Sequence, residues 1–404
     1  MAAKASPARA LALKALITWS RNPESHLEQH LKGQPDPKDL DLAYTICRGV
    51  LKEKTFLQKV VGRYLARKGK NLPLPVELIL LLSFYQRLFL EKIPNYAVVF
   101  DAVELCKEKK PVFSNLVNAV LRNLDRDLKS GFDPQKEPMT LEERYSHPKD
   151  LIDLIKEETK DEAITEQILR WDNAKPKAFL RKRNGSCEEC LDVKAAVQSD
   201  DFKSGKIYFM QLWSQEVANA APVKDGATVL DLCAAPGGKS LALLDRAKIK
   251  LTACDFSETR LAQLKENFAR LGYENAPNIT IKQLDARKAS QAFPPESFDL
   301  VLLDAPCSSL GTIQRNPELR WRFKKEQLAE YAALQSEILT SAKELVAPQG
   351  YLLYSVCSFA KAEREAADLL RQDKTWTLVK EKLTYPGEQD SFDGGYYSLW
   401  QKKI

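Results

Sequence analysis

The stretch Thr228-Val229-Leu230-Asp231-Leu232-Cys233-Ala234-Ala235-Pro236-Gly237-Gly238-Lys239 decides the fold. Its first half is a short apolar run of the kind that forms a buried strand, and a helix is expected after Lys239. Between them stand small residues. Ala234, Ala235, Gly237 and Gly238 let backbone approach a ligand closely, and glycine reaches conformations that other residues resist. The spacing is neither the G-x-G-x-x-G of a dinucleotide site nor a Walker phosphate loop. A nucleoside without a pyrophosphate matches it better.

Working outward, KLTAC (250–254), NITIKQL (278–284), FDLVLLD (298–304) and GYLLYS (350–355) are further short runs rich in Val, Ile and Leu. Between the second and third runs, Leu261, Leu264, Phe268 and Leu271 share one helical face, with Ser257 as N-cap and Gly272 as C-cap. Strand–helix alternation from about residue 206 predicts a parallel sheet covered on both faces. Ligands of such sheets lie beyond the carboxyl ends of the strands. Asp231, Asp255, Asp285 and Asp304 close four successive strands there. Asp255 is placed for ribose hydroxyls and Asp285 for an adenine edge. Any one alone reads equally well as a turn aspartate, but the set does not.

Two cysteines stand at the same edge, in Asp304-Ala305-Pro306-Cys307 and in Tyr354-Ser355-Val356-Cys357-Ser358. Carbon 5 of cytosine attacks a methyl sulfonium poorly, and a thiolate adding to carbon 6 makes it enamine-like. The carbon 5 proton must then leave and the thiol be eliminated, which a second thiol can assist. Asp304 can hydrogen-bond the ring nitrogen. The other cysteines read differently. Cys47 and Cys106 fit helix-face cores, while Cys233 and Cys254 fit buried strand positions. Cys187 and Cys190 form one C-x-x-C with no second pair to complete a zinc site, so no metal is expected.

The histidines, His26, His30 and His147, all lie in the first half. Histidine from the second half therefore cannot serve chemistry there, which disfavours a Ser-His-Asp hydrolase. His26 and His30, four apart, read as surface or core residues. The 404 residues are 44% hydrophobic and 29% charged, with a net charge of +6, which suits two or three soluble domains and a mild bias towards phosphate-bearing partners. No apolar stretch is long enough to span a bilayer, and the N-terminus reads as an amphipathic helix, not an export signal. A cytoplasmic protein with reduced thiols is expected.

Residues 1–140 predict a compact helical bundle. Leu13, Leu16 and Ile17 share one face, 42–64 is apolar at helical spacing, and 76–90, 97–106 and 112–124 follow. Residues 141–205 read as a linker or a small RNA-binding subdomain, with a basic cluster of Lys175, Lys177, Arg181, Lys182 and Arg183. A second basic cluster, Arg315, Arg320, Arg322, Lys324 and Lys325 around Trp321, suits phosphates and a stacked base. It suits a solvated helix start with a core tryptophan as well. The run 63–70 reads as surface or RNA contact.

DLCAAPGGK, DAPCS followed by GTIQRNPELRW, and YSVCS resemble the Sun/RsmB family of RNA 5-methylcytosine methyltransferases. RALALKAL, AYTICRGVL and FSNLVNAVLRNL resemble the NusB-like helical domain that some members carry at the N-terminus. The resemblance implies a multidomain chain: an all-α NusB-like bundle (1–140), the 141–205 segment, and an α/β Rossmann-like class I methyltransferase domain (206–404). It implies S-adenosyl-L-methionine as cofactor, held by Cys233, Ala234, Ala235, Pro236, Gly237, Gly238, Lys239, Asp255, Arg260, Asp285 and Asp304. Cys357 would be the nucleophile, Cys307 would promote release, and Asp304 would complete the catalytic set. Arg315, Arg320, Trp321, Arg322, Lys182 and Arg183 would meet RNA. The implied substrate is small-subunit (16S) rRNA, with tRNA as the alternative; nothing in the sequence demands a partner chain, so a monomer is expected. A non-catalytic RNA-binding or ribosome-assembly protein is the competing reading. The chain departs from the family at Val356, where Thr is usual, at Ala360-Lys361-Ala362-Glu363, which replaces a Pro-Glu-Glu-Asn type segment, and at Gln211-Leu212, where Gln-Asp is usual.

Overall fold

A computed structural model gives the fold and describes residues 5–25, 27–31, 36–65, 72–388 and 392–404. His26 and most of the 63–70 basic run lie outside the described residues. The chain forms two units, one of Met1–Asp153 with Asn316–Phe323 and one of Leu154–Arg315 with Lys324–Ile404. Among the described residues, no helix is long and apolar enough to cross a membrane.

The first unit is helical. Its main helices are Pro7–Arg21, Pro37–Lys52, Lys54–Gly62, Leu74–Phe89, Asn95–Lys109 and Ser114–Lys129. Leu13, Leu16, Ile46, Val50, Leu57, Ile79, Phe84, Leu105 and Leu121 fill one core, as helical spacing dictates. The single apolar stretch expected over 42–64 is two helices, interrupted at Glu53. Val112 stands exposed on a short 3₁₀ helix, Pro111–Phe113, that runs directly into the α-helix beginning at Ser114. Cys47 and Cys106 are buried in this core.

Asn316–Phe323 is an excursion of the chain into this helical unit. Arg320 is fully buried, and its Nη1 donates to the carbonyls of Lys52 (3.1 Å), Tyr145 (3.2 Å) and Ser146 (3.2 Å). Trp321 Nε1 donates to Leu51 O at 2.6 Å, and Lys54 Nζ sits 4.8 Å from the ring centre. Arg322 Nη2 donates to Ser25 O at 2.5 Å. The last carbonyls of a helix lack intrahelical partners, so a cation and an indole N–H at the end of Pro37–Lys52 satisfy them.

In the second unit a small antiparallel sheet, order β2-β1-β3, comprises β1 (Ala178–Lys182), β2 (Cys187–Cys190) and β3 (Ile207–Phe209). The large sheet has the order β6-β5-β4-β7-β8-β10-β9. Its strands are β4 (Thr228–Asp231), β5 (Lys250–Asp255), β6 (Ile279–Gln283), β7 (Phe298–Asp304), β8 (Val346–Val356), β9 (Trp376–Thr384) and β10 (Gly395–Lys402). β4 to β8 run parallel, as the sequence predicts, while β10 pairs antiparallel with both β8 and β9. Alternate residues serve the two faces. Val229, Leu251, Leu300 and Leu353 pack in one core, and Leu230, Cys254, Val301 and Leu352 in the other. Strand order reverses beside β4, which leaves a crevice at the carboxyl ends of β4 and β7.

Candidate active site

That crevice holds a cleft of about 450 Å³. Asp231, Cys233, Ala234, Ala235, Pro236, Gly238, Lys239, Arg260, Asp304 and Arg315 line it, together with Phe209, Met210, Gln211 and Ser214. Gly237 opens the helix Gly238–Leu244 at φ +109, where a Cβ would come within 2.9 Å of the Phe268 ring. Only glycine makes that turn without strain.

The four strand-end aspartates have different surroundings. Asp231 is buried, and its Oδ2 accepts from Ser240 Oγ at 2.6 Å, while Oδ1 has no partner. Burial pushes its carboxyl up to about 7. Asp255 accepts from the N–H groups of Ser257 (3.0 Å) and Ala235 (3.3 Å), and Arg260 lies 3.5 Å away. Arg260 also donates to Ala235 O at 2.5 Å. Asp285 is paired with Arg287 at 2.7 Å, which holds its carboxyl below the usual range. Asp304 bonds Lys239 Nζ at 2.6 Å and Ser355 Oγ at 2.6 Å. Burial works against the Lys239 ammonium, but Asp304 outweighs it and the lysine stays above its ordinary value.

Cys307 and Cys357 follow β7 and β8, whose ends pair in register at Asp304 and Ser355. Their sulfurs stand 3.1 Å apart, and Cys357 Sγ is 3.4 Å from Ser309 Oγ. The hydrogen bond from Cys307 lowers the Cys357 thiol against the cost of burial, and the same bond raises Cys307 well above the thiol range. Of the two thiols, Cys357 is the one whose ionisation the pair favours. Behind Cys357, the carbonyl of that residue accepts from Gly311 N at 3.0 Å, and Gly311 O accepts from Gly394 N at 2.9 Å. A Cβ on Gly311 would sit 1.9 Å from Gly394 O. Val356, where Thr was the family expectation, is fully buried and paired with Tyr396.

The expected RNA contacts fare less uniformly. Arg315 lines the cleft and pairs with Asp393 at 2.5 Å. Lys182 pairs with Glu188 on the neighbouring strand. Arg183 pairs with Asp245, donates to Leu271 O at 2.9 Å and lies over Tyr273. Arg320 is a correction: its guanidinium serves interior carbonyls and presents nothing to a ligand. Trp321 is committed to the helical core, which realises the blander of the two readings. Arg181 is likewise buried, on Gln215. Sequence reasoning missed Ser355, Gln335 and Glu363, which are polar, buried and close to the thiols. Gln335 lies in an ordinary amphipathic helix, and nothing in the local pattern marks it.

The profile of the 16S rRNA methyltransferase RsmB/F family matches residues 219–400, and that of the NusB family matches residues 6–126. The ribosomal RNA small subunit methyltransferase B of Erwinia tasmaniensis is 30% identical over 91% of this chain and 91% of its own length. That of Vibrio cholerae is 30% identical over 91% and 90%. A solved structure with 24% identity aligns over 99% of this chain and 100% of its own at a TM-score of 0.74. A methyltransferase homologue from Pyrococcus horikoshii aligns at 0.51, with 18% identity, over 63% of this chain and 99% of its own. These two likenesses speak for the fold. With both halves matched and relatives of full length aligned over nine-tenths of it, the chain belongs to the RsmB/F family of 16S rRNA methyltransferases.

Proposed function

We propose that the chain is a cytoplasmic enzyme that methylates carbon 5 of a cytosine in 16S rRNA, through a covalent bond from Cys357 to carbon 6. The observation that carries this reading is the pair of sulfurs 3.1 Å apart beside the strand-end cleft, with the lower thiol at Cys357. The cleft fits a cationic nucleoside. Its small residues leave room, Asp304 lines it beside Lys239, and Asp231 Oδ1 is an acceptor without a partner. Residues 233–239 with Asp231 and Arg260 would hold S-adenosyl-L-methionine, which supplies the electrophilic methyl group when bound. Asp255 and Asp285 remain in the proposed set at the ends of β5 and β6.

Cys357 Sγ adds to carbon 6, and the electron pair of the 5,6 double bond becomes available at carbon 5. Asp304, oriented by Lys239 and Ser355, hydrogen-bonds the ring and stabilises the adduct. Once carbon 5 is methylated its proton passes to water, the C–H electron pair re-forms the 5,6 double bond, and Cys357 leaves carbon 6 as the thiolate. Cys307, against the departing sulfur, assists that release. The cytosine must leave its stack to reach the sulfur, which favours loop or junction RNA. Arg315 and Lys182 are the cations retained for phosphate.

The test is transfer of labelled methyl from S-adenosylmethionine to protein-free small-subunit rRNA. The wild type is expected to form 5-methylcytosine, Cys357→Ala to form none, and Cys307→Ala to accumulate a covalent protein–RNA adduct. Retained RNA binding with no transfer to free rRNA, assembled subunits or tRNA would move the assignment to a binding protein.

A further inference from the structure

Cys307 is gripped on both flanks. Before it, the carbonyl of Pro306 accepts from Gln335 Nε2 at 2.8 Å. After it, the N–H of Ser308 donates to Glu363 Oε1 at 2.8 Å, and Ser308 Oγ donates to Glu363 Oε2 at 2.5 Å. Gln335 Nε2 also reaches Glu363 Oε1 at 3.1 Å, so one amide and one carboxylate bracket the turn. The same group is tied to the strand that carries the other thiol. The Tyr354 hydroxyl lies 3.1 Å from Gln335 Oε1 and 2.7 Å from the carbonyl of Glu363, and Ser308 Oγ lies 3.0 Å from Ser358 Oγ. Gln335, Tyr354, Ser358 and Glu363 are all fully buried. A buried carboxylate costs stability unless donors converge on it, and here three do.

We infer that Glu363 is a positioning residue, which through Ser308 and Gln335 holds the Pro306–Ser308 turn so that the Cys307 sulfur meets that of Cys357. The inference rests on the thiol roles proposed above. The Glu363 charge adds to what raises Cys307, after the hydrogen bond to Cys357, burial and the charge of Cys357 itself. Asp304 and Lys239 face the other sulfur. Glu363 therefore helps Cys307 stay the protonated member of the pair.

Two assays on the full chain test this, with Glu363→Ala, Glu363→Gln and Cys307→Ala beside the wild type. The first is turnover and adduct accumulation on rRNA. Misplacing a reacting group by about 1 Å costs about 100-fold. Glu363→Ala is expected to lose turnover on that order and accumulate adduct, with S-adenosylmethionine affinity unchanged. Glu363→Gln, which keeps an acceptor for the Ser308 N–H, is expected to recover most of the release. The second assay needs no RNA. Diamide takes two electrons and two protons from the two thiols, closing a Cys307–Cys357 disulfide while its azo group becomes a hydrazine. Glu363→Ala is expected to slow that closure about tenfold or more. Wild-type closure and turnover in Glu363→Ala would overturn the inference. So would joint loss of folding and cofactor affinity in both Glu363 variants, because the residue would then be structural only. If Cys307→Ala yields no adduct, the thiol roles fail, and the closure rate alone decides what Glu363 does.

Discussion

Asp231→Asn should make the α/β unit more stable at pH 8, although it removes a residue of the cleft. The wild-type carboxyl is buried, with one oxygen on Ser240 and the other unpartnered, and it is pushed from 3.8 to about 7. Between those values the folded chain holds a proton that the unfolded chain has released. Stability therefore falls as pH rises across that window, and the contribution, complete below 3.8, is gone above about 7. Some three pK units at about 1.4 kcal/mol each give a penalty of about 4 kcal/mol at pH 8. Asparagine carries no charge and keeps an oxygen for the Ser240 hydroxyl. It places an amide N–H where Oδ1 stands, at a cost of about 1–3 kcal/mol. The net gain at pH 8 is about 1–3 kcal/mol. At pH 5 most of the wild-type penalty has gone, so the gap should close or reverse by about 3 kcal/mol. Urea unfolding at the two pH values, with hydrogen exchange in β4 to isolate this unit, measures it. A gap that does not move with pH refutes the reasoning. The same variant should bind S-adenosylmethionine at least tenfold more weakly, or about 1.4 kcal/mol.

Two further substitutions read the scaffold. Arg320→Met leaves the carbonyls of Lys52, Tyr145 and Ser146 short of a donor, and should cost about 2–4 kcal/mol of helical-unit stability in chemical denaturation; an unchanged midpoint would mean water replaces the guanidinium without loss. Gly311→Ala drives a Cβ into the Gly394 carbonyl, and should lower methyl transfer more than it lowers cofactor affinity, because Gly311 N also holds the Cys357 carbonyl. Equal losses in both would point to general misfolding.

The parallel part of the large sheet was legible because its strands are short runs rich in Val, Ile and Leu, four of them followed by the aspartates Asp231, Asp255, Asp285 and Asp304. β9 and β10 were not. β9 carries Lys380, Glu381 and Lys382 on an edge, where charge discourages pairing with other chains and hides the strand pattern. The two thiols and the small-residue turn were visible because their chemistry demands rare residues at strand ends. Gln335 was invisible for the opposite reason, and Glu363 was noticed only as part of a departure from the family pattern. Their roles depend on helices that arrive from elsewhere in the chain, and only packing brings them to Cys307. The 320–322 cluster misled because charge in a sequence does not show which side of a surface it occupies, and these side chains turn inward to cap a helix.

The chain's departure at Asn316 and return at Lys324 bears on how this protein can be taken apart. A helical unit attached by one linker could be deleted, swapped or expressed alone by cutting once. Here the catalytic half donates a peptide to the other unit's interior from between its own two cysteines. A fragment beginning near residue 154 would carry Arg320 and Trp321 with none of their hosts, and a fragment ending there would leave Leu51 and Lys52 uncapped. The two halves are therefore stitched, and are expected to be expressed and engineered as one piece.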